Sequence, residues 1–288
     1  MKKILFTCIL LSFSLISACS DKDEPVPNKS QEEQQQPDMT NKSQEEQQPN
    51  MTNKPKEEER QSHENQQEPP KTNKGNTVAS NTQAGALKNI KDQLKTNLPI
   101  ILPKGLPITK GTFLTATAQA KANQVEVLFF ESKEDLPIND RKLKNLQTAT
   151  IIARLVVKQY PNAKEANEQI SFENFSQNGG QKVDLGYNIK GYQDAGAGSL
   201  WTGWNEGRWA LATHTRTDNP EAGVKLAKQT VQFLETHMLP IPKQNGFARL
   251  DVYKSGNLIV WQDEKLVYTL DSIKEPLKAL EIAAAFYH

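Results

Sequence analysis

The chain has 288 residues, with 35 Lys and Arg against 34 Asp and Glu, for a formal net charge of +1. Near-neutral charge, without a stripe of Arg and Lys interleaved with aromatics, gives no footprint for nucleic acid. Two cysteines and four histidines, none at ligand spacing, argue against a zinc centre, so no metal and no cofactor is expected.

The chain opens Met1-Lys2-Lys3, continues through the apolar run "ILFTCILLSFSLI", and reaches Ser17-Ala18-Cys19. A basic start, an apolar stretch and small residues at its end describe an export signal. The run is shorter than the ~20 residues that a membrane-crossing helix needs. Ile16-Ser17-Ala18-Cys19 resembles the lipobox of bacterial exported lipoproteins, and the resemblance covers this N-terminal signal alone. It implies a diacylglyceryl thioether on Cys19, of palmitate type, with residues 1–18 leaving as the signal peptide. At about 0.8 kcal/mol per buried CH₂, one acyl chain holds marginally and two hold stably. Cys8 leaves with the signal, so the mature chain keeps one thiol and forms no internal disulfide. The implied partner is membrane lipid, and the implied place is the outer face of the cytoplasmic membrane.

Residues 19–79 change character. "NKSQEEQQQPDMT" (28–40) is followed by "NKSQEEQQPNMT" (41–52) and a degraded third copy, "NKPKEEER", from Asn53. Such a tract buries too little apolar surface to offset the entropy of ordering, which predicts a disordered linker. Eight basic residues stand against thirteen acidic ones over residues 20–78, so the tract is acidic. As a flexible coil it spans roughly 40–45 Å. His63 sits here without a second ligand beside it and reads as solvated. The Lys-rich, Arg-poor composition and the long polar tether resemble lipoproteins of Gram-positive bacteria.

Residues 80–288 alone have the composition to build a core. Leu87, Ile90 and Leu94 mark a short helix, which "LPIILPKGLP" ends. Strands are expected at 112–120, 123–132 and 149–159, then a helix over 162–170. A second set reads strands 183–191, 199–205 and 208–215, then a helix over 220–238. A third reads strands 247–253, 257–262 and 266–270, then a helix ending at Phe286. Tight turns between strands, with a helix after each group, point to an α+β fold of mainly antiparallel sheet. Three successive β-β-β-α units, over 80–175, 180–240 and 241–288, are the expected organisation. "WNEGRWAL" and "WQDEKLVYTL", each ahead of a helix, suggest an internal repeat.

In the 220–238 helix, Asn219 is placed to cap and Pro220 to start. Val224, Ala227, Val231, Leu234 and Met238 form one apolar stripe, with Leu226 and Phe233 on nearly the opposite side. That second pair is either a surface for a membrane-protein partner or the far face of a helix packed on both sides.

No catalytic constellation is legible. "GAGSL" (Gly196–Leu200) lacks the Gly-x-Ser-x-Gly spacing of a nucleophile elbow, and His237 reads as a partner of a helix C-terminus. The concentrated feature is "SLWTGWNEGRW", which holds Trp201, Trp204 and Trp209. A turn at Glu206-Gly207 would set Trp204 opposite Trp209, and Trp201 opposite Ala212 on the other face. Those indoles are either core or a platform for a sugar ring of cell-wall glycan. The resulting expectation is a membrane-anchored, non-catalytic binding module. The alternatives are a cell-envelope hydrolase, marked by a Ser/His/Asp or paired-carboxylate cluster, and a structural or regulatory partner of a membrane protein.

Overall fold

The structure, a computed structural model, describes residues 82–287 except 146 and 148. The segment 1–18 expected as a signal, Cys19, the stretch to residue 79 expected as a linker, and His288 lie outside the described residues.

Thr82 starts α1 (Gln83–Leu94), its hydroxyl accepting the Gly85 N–H at 3.1 Å. Spacings of three and four put Ala86, Leu87, Ile90 and Leu94 on its buried side. A meander follows: β1 (Phe113–Lys121), β2 (Gln124–Ser132) and β3 (Ala149–Gln159), then the short α2 (Ala163–Asn167). The second group is β4 (Gln181–Gly186), β5 (Ile189–Gly196), β6 (Ser199–Glu206) and β7 (Trp209–Arg216), followed by α3 (Pro220–Leu234). The third is β8 (Gly246–Asp251), β9 (Asn257–Asp263) and β10 (Leu266–Ile273), followed by α4 (Pro276–Ala284).

All ten strands join one sheet in the order β1-β2-β3-β10-β9-β8-β7-β6-β5-β4. Every ladder is antiparallel except β7–β8, whose parallel pairing is bridged by α3. The fold is therefore α+β. The strand groups hold three, four and three strands, and the third group lies between the other two. The extra strand arises because the segment expected as one strand over 183–191 is a hairpin. Tyr187 and Asn188 both take positive φ, 49° and 63°, as a type I′ turn requires. Tyrosine in the first position hides the Asn-Gly signature that usually announces this turn.

Side-chain alternation separates two faces. Val127, Leu155, Leu270, Ile259, Ala248, Leu211 and Trp204 pair successively from β2 to β6, so they form one apolar row. This row is fully buried under α1, α3 and α4. Helix α3 is rotated from the expected stripe: Gly223, Leu226, Ala227, Thr230 and Val231 face inward. Asn219 makes no side-chain cap, and the helix ends at Leu234 rather than Met238. Its last turn gives way ahead of Pro240 and Pro242, and His237 Nδ1 lies 3.1 Å from the Phe233 carbonyl. In α4, Ala279, Leu280, Ile282 and Ala283 are all buried, as is Phe286 just beyond its end, which leaves the helix apolar on both sides.

The second face is covered in patches. Phe130, Leu136, Leu143 and Ala149 close one end. Further along, Ala166 and Ile170 from α2 and its exit pack on Val267, with Phe172, Phe247 and Val260 around them. Phe175 lies over Gly203 so closely that no Cβ fits there. Its segment is tied down by Asn205, which accepts the Phe175 N–H at 3.0 Å and donates to the Glu173 carbonyl at 2.7 Å. Beyond Phe175, the corner formed by β5, β6, β7 and the end of β8 holds partly exposed side chains. Among the described residues no helix is long and apolar enough to cross a membrane.

Candidate functional site

The β6–β7 hairpin sets this corner. Its turn is Gly207-Arg208, closed by the pair Glu206–Trp209, which corrects the expected turn by one residue. Gly207, at φ 57°, takes the first central position, the pattern of a type II′ turn. Trp204 consequently pairs with Leu211 and Trp201 with His214, not with Trp209 and Ala212. Trp201 and Trp204 still face opposite sides, because that depends only on their odd separation.

The three indoles have different fates. Trp204 is 0% exposed and Trp209 7% exposed, both on the helix-covered face, so neither offers a ring to a ligand. Their N–H groups are satisfied by Glu206 Oε1 at 2.7 Å and the Pro240 carbonyl at 3.1 Å. Trp201 is partly exposed on the other face. Leu226, 6% exposed, belongs to the core, and half-buried Phe233 stacks on His237 with ring centroids 4.1 Å apart. Leu226 and Phe233 therefore do not form one outward apolar surface.

Around Trp201 the register assembles a row across four strands: Asp194, Trp201, His214 and Asp251. The indole leans over the imidazole, centroids 4.5 Å apart and planes 40° apart. His214 Nδ1 lies 3.1 Å from Asp251 Oδ2, and His214 Nε2 lies 3.1 Å from Ser199 Oγ. A carboxylate only accepts, so the Nδ1 proton faces Asp251, and in the neutral ring Nε2 then accepts from the Ser199 hydroxyl. Asp251 is itself fixed: Oδ1 accepts the Tyr253 N–H at 2.6 Å, and its own N–H donates to Asn257 Oδ1 at 2.8 Å. Asn257 in turn donates to the carbonyls of Ile273 and Lys274, so the whole β8–β9 turn holds that carboxylate in place.

Ser199–His214–Asp251 has the order and distances of a nucleophile, base and orienting acid. Sequence reading missed it, since no local motif links the three residues. The expected turn at Glu206-Gly207 already sets His214 directly opposite Ser199, and the observed turn, one residue later, leaves the two diagonal but still within cross-strand reach. Asp251 arrives through the parallel β7–β8 pairing, which no local pattern announces. Acyl transfer also needs donors for a developing oxyanion and a place for the substrate. Here Ser199 is paired on both sides, with Gly196 and Arg216, and the Gly198 carbonyl accepts the Thr217 N–H at 3.0 Å. Five hollows among the described residues are lined by side chains other than Ser199, His214 and Asp251. No group of three or more metal-ligating side chains occurs among the described residues.

The site and fold together define an α+β head with an aromatic and polar corner on the less covered face of a ten-stranded sheet. Compared with known proteins, the chain matches no family model, no curated protein and no solved structure.

Proposed function

We propose that the protein is a membrane-anchored, extracytoplasmic lipoprotein whose head is a non-catalytic binding module. Its contact with a hydroxyl-rich ligand, such as cell-wall glycan, is Trp201. The observation that carries this reading is the partly exposed Trp201 indole between Asp194 and His214 on the less covered face. The C–H face of a sugar ring stacks on an indole, while its hydroxyls bond to carboxylate and hydroxyl groups such as those of Asp194 and Ser199. Anchoring is supported by the lipobox resemblance at Cys19. Replacing Cys19→Ser is expected to release the chain from the membrane fraction and remove the lipid mass. Purified wall glycan is expected to retain the mature chain, and Trp201→Ala to lose that retention by tenfold or more. Equal retention of the variant would sink the assignment of Trp201.

A second reading, an envelope hydrolase, is favoured by the hydrogen-bonded chain Ser199–His214–Asp251. It ranks lower because Ser199 is committed to the sheet on both sides. A fluorophosphonate probe decides between them: labelling that maps to Ser199 and vanishes in Ser199→Ala makes the protein a hydrolase.

A further inference from the structure

On the opposite, helix-covered face, a hollow of about 340 Å³ lies between the β6–β7 hairpin tip and the segment 237–242. Its floor is apolar, formed by Trp209, Leu211, Leu234 and Leu239. Two hydrogen bonds pin the segment to the hairpin: Trp209 Nε1 to the Pro240 carbonyl and Arg208 Nη1 to the Pro242 carbonyl, at 3.1 and 2.8 Å. The hollow is thus held open by fixed backbone. At its rim, Met238 is 54% exposed and Ile241 61% exposed, an arrangement that leaves large apolar side chains in water beside an apolar recess.

One carboxylate lines it, Glu206. Its Oε1 is engaged by the Trp204 indole, and among the described residues no cation lies within ion-pair distance of it. Arg208, the one side chain of fixed positive charge in the lining, points its guanidinium to Pro242 instead. His237, also in the lining, is turned to the Phe233 carbonyl and the Thr236 hydroxyl.

We propose that this hollow binds a small amphipathic cation, an apolar body bearing a protonated amine, with the amine at Glu206 and the body over Trp209 and Leu239. The volume suits a drug-sized ligand, and an apolar recess with few polar groups is the usual form of such a site. Charge complementarity selects an ammonium over a carboxylate head. Burial pushes the Glu206 carboxyl up, the Trp204 hydrogen bond opposes this, and the Glu235 charge adds to the rise. A bound cation offsets both the burial and the repulsion. The site is independent of the Trp201 corner.

The test is a titration of the mature chain with 4-phenylbutylammonium, 4-phenylbutanol and 4-phenylbutyrate, read by NMR at the Trp209 indole N–H and the Ile241 amide. The ammonium compound is expected to shift both signals and to bind at least tenfold tighter than the alcohol, with the carboxylate weakest. Glu206→Gln keeps an acceptor for Trp204, and is expected to lower ammonium affinity about tenfold while leaving the alcohol unchanged. Ile241→Ser, at an exposed position, is expected to weaken both severalfold. Absence of shifts at these signals, equal binding of all three heads, or unchanged ammonium affinity in a folded Glu206→Gln chain each overturns the proposal.

Discussion

Arg154 and Asp271 clasp each other across the boundary between the first and third strand groups, Nε to Oδ1 at 2.8 Å and Nη2 to Oδ2 at 2.6 Å. They are direct partners in the β3–β10 ladder, the ladder that joins those groups. Two parallel N–H donors meeting one carboxylate form the strong version of this contact, and Glu126 adds a third charge at 3.7 Å. The guanidinium is held above its ordinary value, first by the hydrogen bond to Asp271. Its side chain is 43% exposed, so solvent screens the pair. Arg154→Ala is expected to cost about 1 kcal/mol in urea unfolding. Arg154→Lys is expected to recover little, because an ammonium cannot make both bonds. A double-mutant cycle with Asp271→Ala giving no coupling would show that the β3–β10 ladder holds without the clasp.

The two faces of β6 give opposite responses to the same substitution. Trp204→Ala empties a fully buried site and strands Glu206 without its indole donor, so a loss of about 3–5 kcal/mol is expected. Trp201→Ala removes a partly exposed ring whose main neighbour is His214, and a loss of no more than about 1 kcal/mol is expected. Urea midpoints of the two variants, measured side by side, check this. Similar losses in both would mean that Trp201 is a core residue and no platform.

These faces show which parts of the fold a linear pattern carries. "WNEGRWAL" and "WQDEKLVY" form hairpins in the same register, with Glu206–Trp209 and Asp263–Leu266 as closing pairs. Trp204 and Trp261 stand at equivalent places on the buried face, each ahead of a helix that packs above it. Alternation and two-residue turns are local, so that likeness could be read directly. The order of strand groups could not. The edges of β3 and β7 present the same N–H and C=O groups, and nothing near them in sequence names β10 and β8 as their neighbours. The Ser199–His214–Asp251 chain depends on that long-range pairing, which is why Asp251 escaped notice. The expectation at Cys19 is of the opposite kind, since it rests on four consecutive residues, and these lie outside the described residues.

Glu206 ties acidity to stability. Its carboxyl titrates above the ordinary 4.5, chiefly because burial disfavours the charge. Between 4.5 and that raised value the folded chain holds more protons than the unfolded one, so this group's contribution falls as pH rises through the interval. Glu206→Gln cannot ionise and still accepts from Trp204. The stability of the Gln variant relative to the parent is therefore expected to grow as pH rises from 4.5 and then level off. Urea unfolding at several pH values measures that difference, and a flat difference would place Glu206 in bulk-like solvent.

Tyr268 gives the alkaline counterpart. Its ring stacks on Trp261 with centroids 4.8 Å apart, and its hydroxyl accepts the Ile101 N–H at 3.0 Å. Burial drives the phenol from 10.0 up to about 12, although the Ile101 bond pulls the other way. Above pH 10 the unfolded chain ionises this group before the folded one does, so its contribution to stability is lost progressively towards pH 12. Tyr268→Phe keeps the stacked ring but leaves the Ile101 N–H without its acceptor, an expected cost of about 1 kcal/mol near neutral pH. That gap should close as pH climbs beyond 10, because the parent loses stability through Tyr268 and the Phe variant has no phenol to lose. Paired unfolding curves, with absorbance titration of tyrosinate, follow both halves of the effect. A gap that stays constant across this range would mean that the Tyr268 hydroxyl is wet and titrates as an ordinary phenol.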